Sequence, residues 1–274
     1  MANFQTSDGL TLYFTDEGAG IPILCLSGLT RHSGDFSYIT DKLPGTRLIK
    51  LDYRGRGRSD WAEDYTTYNI LHEARDAVEL LDHLGLAKAA VLGTSRGGLI
   101  AMALAATTPD RLQGVVFNDI GPEIDPQGLD AIMGFLGRNP SWKTYAEATA
   151  ARATVMKGFA NVPHARWRQE VEKLYHQTPQ GLIINYDPRL RDAVIEAGAQ
   201  PVPDLWPFYA ALKDLPVAVI RGANSDLLSA ETLEEMGRVI PDAILATVPD
   251  RGHIPFLDEP EALDALTKWI EQLK

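Results

Sequence analysis

The sequence contains a single cysteine, Cys25, so no disulfide can form within the chain. It has no apolar run that approaches the roughly 18 residues of a membrane-spanning helix. Its six histidines show no spacing typical of metal ligands. Residues 1–9 lack the basic start and apolar core of a signal peptide. These absences predict a cytoplasmic protein with no membrane span and no bound metal.

Positive charge is also scarce. The chain of 274 residues has 26 Lys and Arg against 37 Asp and Glu, which gives a formal net charge of −11. Nucleic acids and anionic membranes need basic surfaces on their partners, so the charge disfavours both. The one basic cluster alternates with glycine in residues 54–58, a composition that suits a loop. We therefore expect a small molecule as the partner.

One pentapeptide carries the chemistry: Gly93-Thr94-Ser95-Arg96-Gly97. It lies between a short apolar run, residues 89–92, and an apolar segment with helix-forming composition, residues 99–106. A Gly-x-Ser-x-Gly sequence between a strand and a helix is typical of a nucleophile elbow, which raises the serine above a sheet. A serine hydroxyl is a weak nucleophile until a base removes its proton, so Ser95 predicts a partner base.

The arrangement of elements predicts the fold class. Apolar runs alternate with helical periodicity in residues 1–121 and again in residues 213–274, as expected for a mostly parallel sheet flanked by helices. Between them, residues 122–212 show no short apolar run typical of a strand, and we interpret them as a helical cap inserted into the core. The helices predicted there cover residues 129–138, 141–159, 164–177 and 204–212.

The base and the acid should follow strands, because ligands of such sheets bind at the carboxyl ends of the strands. His253 comes after the predicted strand that ends at Val248, and we predict that it is the base. His32 is the rival, since it lies close to the predicted oxyanion loop. Asp226 follows the preceding strand and is the predicted acid, which would hold the imidazole in one tautomer. Asp119, after the strand that ends near residue 117, is the alternative acid.

An acyl transfer also needs two N–H donors for the oxyanion. One should be the backbone amide of Arg96, which follows the nucleophile. The other should come from the loop after Leu26, where we predict the amide of Leu29. Gly28 would let the backbone approach closely there.

Taken together, these motifs resemble the α/β-hydrolase superfamily over essentially the whole chain. The segment Asp52-Tyr53-Arg54-Gly55-Arg56-Gly57-Arg58-Ser59 is similar to the D-x-R-G-x-G-x-S stretch of cap-bearing members, where it is largely a structural loop. The resemblance implies an α/β-hydrolase fold and an esterase-like or lipase-like activity. Arg96 departs from the Met, Leu or Gln usual after the nucleophile, and its side chain would pair with Asp119 or another acid, or bind a substrate carboxylate.

The sequence thus predicts a serine hydrolase that cleaves a small carboxylic ester through an acyl-enzyme, with Ser95, His253 and Asp226 as the triad and with no cofactor. The same triad could instead hydrolyse a C–C bond, open a lactone, transfer an acyl group to another acceptor, or form a peracid from hydrogen peroxide. A non-catalytic binding module on the same frame would predict that a triad residue is missing, and none is.

Overall fold

The computed structural model describes residues 2–201 and 203–273. The predicted core and insertion also include Met1, Val202 and Lys274, which lie outside the described residues. A sheet of eight strands forms the centre of this part of the chain. Its strands are β1 (Ala2–Gln5), β2 (Thr11–Gly18), β3 (Ile21–Leu26), β4 (Thr46–Leu51), β5 (Ala89–Thr94), β6 (Leu112–Asn118), β9 (Val217–Gly222) and β10 (Ile244–Val248). Their order is β1-β2-β4-β3-β5-β6-β9-β10, and every pair from β4–β3 to β9–β10 is parallel. The predicted fold class is confirmed.

Both faces of the sheet are buried, because side chains alternate between them along each strand. In β3, Leu24 and Leu26 join a core with helices α1 (Ile70–His83), α2 (Arg96–Thr107) and α8 (Ala230–Val239). Ile23 and Cys25 point into the opposite core, which α9 (Pro260–Gln272) covers. Burial raises the pKa of the Cys25 thiol to about 12, so this cysteine is an inert packing residue.

The segment between β6 and β9 contains more than the expected helices. Its helices are α3 (Pro126–Phe135), α4 (Tyr145–Val155), α5 (His164–Leu174), α6 (Leu190–Gly198) and α7 (Trp206–Ala210). A two-stranded hairpin, β7 (Tyr175–Thr178) and β8 (Gly181–Ile184), follows α5, so the expectation of no strand in this segment is wrong. Strand β7 is largely polar, and β8 contributes only three apolar residues, 182–184, of which only Leu182 is buried; Gly181 at φ +135° supports the turn.

Helix α5 joins the inserted segment to the core through charged groups. Glu170 accepts a hydrogen bond from Arg31 at 2.6 Å and another from Tyr38 Oη at 2.8 Å. Lys173 Nζ lies 3.6 Å from the same carboxylate. Burial opposes the ionisation of Glu170, but the charges of Arg31 and Lys173 outweigh it and lower its pKa to about 2.

A depressed pKa predicts acid sensitivity. The ionised carboxylate of Glu170 stabilises the folded state fully above its usual pKa of 4.5, and this contribution is lost as the pH falls toward about 2. We expect the free energy of unfolding, measured with urea, to depend less steeply on pH below about 5 in Glu170→Gln than in the wild type. Glu172→Gln, at an exposed ion pair of the same helix, is the control and should keep the wild-type slope. Equal slopes in all three proteins would contradict the assignment.

Candidate active site

The nucleophile elbow is the local structure that exposes Ser95. Strand β5 ends at Thr94, helix α2 begins at Arg96, and Ser95 between them has φ +50° and ψ −113°, an unusual conformation for a residue other than glycine. The two flanking glycines are sterically required. A Cβ atom on Gly93 would lie 2.6 Å from the backbone of Gly97, and one on Gly97 would lie 2.0 Å from the carbonyl oxygen of Leu26.

The structure brings the predicted base to the predicted nucleophile. His253 lies in the loop between β10 and α9, and its Nε2 atom is 3.0 Å from Ser95 Oγ. These residues are 158 positions apart in the chain, and only the parallel packing of β5, β6, β9 and β10 makes them neighbours.

The carboxylate that contacts His253 is that of Asp119, the alternative acid, and not that of Asp226, the predicted one. Asp119 directly follows β6, is fully buried, and places Oδ2 2.7 Å from His253 Nδ1. It also accepts hydrogen bonds from the backbone of Gly222 at 2.7 Å and from Ser225 Oγ at 2.6 Å. Asp226 is exposed, because the turn directs Ser225 rather than its neighbour toward the buried carboxylate.

This hydrogen bonding fixes the tautomer of His253. An ionised Asp119 is an acceptor only, so Nδ1 of His253 must carry the proton that it donates. The other ring nitrogen, Nε2, is then free to accept the proton of Ser95 Oγ. The three groups form one continuous path from a buried carboxylate to the hydroxyl.

The rival base, His32, has a different role. Its Nδ1 atom accepts a hydrogen bond from the backbone N–H of Gly34 at 3.1 Å, so its Nε2 atom carries the proton and donates to the carbonyl of Lys173 at 2.9 Å. Both nitrogens are therefore occupied, and the ring connects the loop after β3 to α5.

The amides predicted as oxyanion donors are held by two different elements. The N–H of Arg96 is the first of helix α2, so no carbonyl in the helix can accept from it. The loop that carries Leu29 is fixed by three successive carbonyl contacts. Ser27 accepts from Tyr53 Oη at 3.0 Å, Gly28 from the N–H of Arg31 at 3.1 Å, and Leu29 from Arg56 Nε at 3.0 Å.

Glu73 on α1 connects these two elements. It is a buried carboxylate that belongs to none of the motifs predicted above. Its Oε2 atom accepts from Arg96 Nε at 2.5 Å, and its Oε1 atom lies 2.8 Å from Arg56 Nη1. The Arg96 side chain thus pairs with an acid other than Asp119. Burial would raise the pKa of Glu73, but the charges of Arg56 and Arg96 hold it below its usual range. Its position between Ile70 and Ala77, on the buried face of the helix, was the available signal.

The D-x-R-G-x-G-x-S stretch forms a structural loop, as the resemblance implied. Asp52 accepts from the backbone amides of Ser33 at 2.7 Å and Arg58 at 2.9 Å. Gly57 has φ +56°, and a Cβ atom there would lie 2.2 Å from Asp52 Oδ2. The loop thereby places Arg56 against the carbonyl of Leu29.

Residues 2–201 and 203–273 contain neither a membrane-spanning helix nor a metal-binding group. No helix there combines the length and the apolar composition that crossing a membrane requires. Nor do three or more His, Cys, Asp or Glu side chains in that part of the chain form a group that could hold a metal ion.

With this fold and this arrangement of side chains, the chain belongs to the α/β hydrolase fold family, whose model matches residues 21–260. It is 34% identical over 247 residues to the 3-hydroxybutyrate-oligomer hydrolase of Cupriavidus necator, covering 87% of this chain and 84% of that protein. It is 29% identical to the 2-(acetamidomethylene)succinate hydrolase of Mesorhizobium japonicum, covering 96% of this chain and 92% of that one. A crystal structure of an α/β hydrolase from Novosphingobium aromaticivorans superposes with a TM-score of 0.91 at 36% identity, covering 99% of this chain and 97% of that one.

The buried carboxylate of Glu73 predicts a stability effect. Glu73→Gln would leave two buried guanidinium groups without a counter-charge, and we expect the free energy of unfolding to fall by about 3–5 kcal/mol. Glu234→Gln, at an ion pair whose carboxylate side chain is 73% exposed, is the control and should change it by less than about 1 kcal/mol. Urea denaturation of both variants measures the difference, and a Glu73 variant as stable as its control would disprove this account.

Proposed function

We propose that this protein is a serine hydrolase that cleaves small carboxylic esters through an acyl-enzyme. The observation that carries the proposal is the chain of contacts from Asp119 through His253 to Ser95, with distances of 2.7 and 3.0 Å. A nucleophile bonded to a base, and a base oriented by a buried carboxylate, are the geometric requirements for nucleophilic acyl transfer.

In the proposed reaction, His253 Nε2 takes the proton of Ser95 as Oγ attacks the ester carbonyl. The oxyanion of the tetrahedral intermediate binds to the amides of Leu29 and Arg96. His253 then gives its proton to the departing alcohol, and the acyl group stays on Ser95. In the second half, His253 deprotonates a water molecule, which attacks the acyl-enzyme and releases the acid. Asp119 stabilises the imidazolium each time it forms.

Charge beneath the oxyanion supports this assignment. Arg56, Glu73 and Arg96 are three buried or nearly buried ionised groups that carry one net positive charge. Their low-dielectric surroundings weaken the field less than water would, so that charge favours a developing oxyanion at the adjacent amides.

One relative supports an ester as the substrate class. The one from Cupriavidus necator is named as a hydrolase of 3-hydroxybutyrate oligomers, whose units are joined by ester bonds. We extend that bond type to this chain, because the elbow, base and acid are complete. The proposal takes its two oxyanion donors from the start of helix α2 and from the loop that Tyr53 and Arg56 hold in place.

Removing the nucleophile is the direct test. We expect Ser95→Ala to lower kcat for p-nitrophenyl acetate by about 10³-fold or more, while circular dichroism and thermal unfolding show an intact fold. A fluorophosphonate probe should label Ser95 in the wild type, and mass spectrometry of the labelled peptide identifies the site. Full esterase activity in the folded variant would remove Ser95 from the mechanism.

The identity of the acid separates the structure from the sequence prediction. Asp119→Asn would leave His253 in the wrong tautomer, so we expect kcat to fall by about 10³- to 10⁴-fold. Asp226→Asn changes the same functional group at an exposed position and should keep nearly wild-type kcat. Steady-state kinetics of both variants on one ester compares the two losses of kcat. A larger loss in Asp226→Asn than in Asp119→Asn would identify Asp226 as the acid.

A further inference from the structure

An arginine of the inserted segment has no partner for its charge. Arg152 lies on α4, and the described residues offer its guanidinium no ion pair or hydrogen bond. Its Nε atom is buried without a hydrogen-bond partner. Arg152 as a whole is half-buried, but a buried N–H of a charged group is normally paired, because leaving it unpaired is costly. Arg152 is therefore an unusual group in an acidic protein that has ample carboxylates.

The groups around Arg152 give it an excess of positive charge rather than a counter-ion. Arg31 uses Nε and Nη2 to donate to Asp35 at 2.7 and 2.8 Å, and Nη2 also donates to Glu170 at 2.6 Å. These two carboxylates are already engaged with Arg31, and Lys173 lies 3.6 Å from Glu170. Counting Arg31, Lys173 and Arg152 against Asp35 and Glu170 leaves one net positive charge.

The electrostatic environment agrees with this count. Burial, followed by the positive charge of Arg31, lowers the pKa of Arg152, and the attraction of Glu170 and Asp35 does not offset them. An additional anion beside Arg152 would relieve that penalty.

The cluster also borders the nucleophile. A Cβ atom on Gly28 would lie 3.3 Å from Cγ of Arg31 and 3.9 Å from Cβ of Ser95. The stem of Arg31 therefore passes close to the side chain of Ser95, on the same side of Gly28. Nη1 of Arg31 has no hydrogen-bond partner among the described residues and is not enclosed. A group bound to this nitrogen would be held by a side chain whose stem lies beside the nucleophile.

We propose that Arg152, together with the free Nη1 of Arg31, binds a carboxylate of the substrate, so that the preferred ester carries a carboxylate close to the scissile bond. This inference rests on the proposed serine hydrolase activity. One net positive charge matches a monoanion, and a guanidinium donates two parallel hydrogen bonds to a carboxylate. The bound carboxylate would supply the counter-charge that Arg152 lacks among the described residues.

A matched pair of substrates tests the charge alone. Monoethyl succinate and ethyl succinamate have nearly the same shape, but only the first carries a carboxylate. Ethanol release gives kcat/KM for each. We expect the wild type to prefer the charged ester, and Arg152→Gln to reduce the ratio of the two kcat/KM values by about 10- to 100-fold. Because no partner of Arg152 is left unpaired, this variant should fold.

A control variant removes the same charge elsewhere in the inserted segment. Arg168 forms an exposed ion pair with Glu172 on α5, and Arg168→Gln should keep the wild-type ratio. If Arg152→Gln also keeps it, the carboxylate site does not exist. An equal loss of ratio in both variants would mean that the overall field of the protein, and not a local contact, selects the substrate.

Binding to inactive protein separates this inference from the proposed chemistry. Calorimetric titration of monoethyl succinate into Ser95→Ala should give a dissociation constant at least about 10-fold lower than titration into the Ser95→Ala/Arg152→Gln double variant. Carboxylate binding without any esterase activity in the wild type would overturn the proposed function and leave the site intact. Esterase activity without this difference in binding would overturn the site alone.

Discussion

The carboxylate of Glu73 is the contact on which the geometry of the candidate site depends. It lies buried on α1 and contacts two arginines, each of which helps to position a different element of the site. Arg56 holds the carbonyl of Leu29, and Arg96 supplies the first amide of α2. Oxyanion stabilisation needs two donors whose relative position does not change as charge develops. A single carboxylate in contact with both arginines would give the two proposed donors that rigidity, and it balances one of the two positive charges.

Much of the fold could be predicted from the sequence, because periodicity reports burial directly. The apolar runs at β3, β5 and β9 are buried on both faces, and the elbow has the only composition that its steric contacts allow. The hairpin β7–β8 could not be predicted in the same way, because β7 is largely polar and β8 has a run of only three apolar residues, so that neither strand carries a periodic signal.

The site residues also differ in whether local sequence patterns predict them. Ser95 and His253 follow from local patterns, a Gly-x-Ser-x-Gly turn and a histidine after the last strand, and the structure places them together. The acid does not follow, since Asp119 and Asp226 both come after strands that end at the same edge of the sheet. Their difference arises from one turn, in which Ser225 faces inward and donates to Asp119. Such a choice depends on three-dimensional packing and has no local signature.

The distribution of charge connects the buried network to the proposed substrate site. A chain with a net charge of −11 would repel an anionic substrate over most of its surface. Within the candidate site the balance is reversed. Arg56 and Arg96 exceed Glu73 in the network that holds the proposed oxyanion donors, and Arg31, Lys173 and Arg152 exceed Asp35 and Glu170 at the proposed carboxylate site. Local fields in a low-dielectric site outweigh distant charges that water and salt screen. A carboxylate ester would therefore be attracted only at the proposed site of reaction. The excess charge around Arg152 would act on the fixed carboxylate of the substrate, and the excess charge around Glu73 would act on the transient oxyanion.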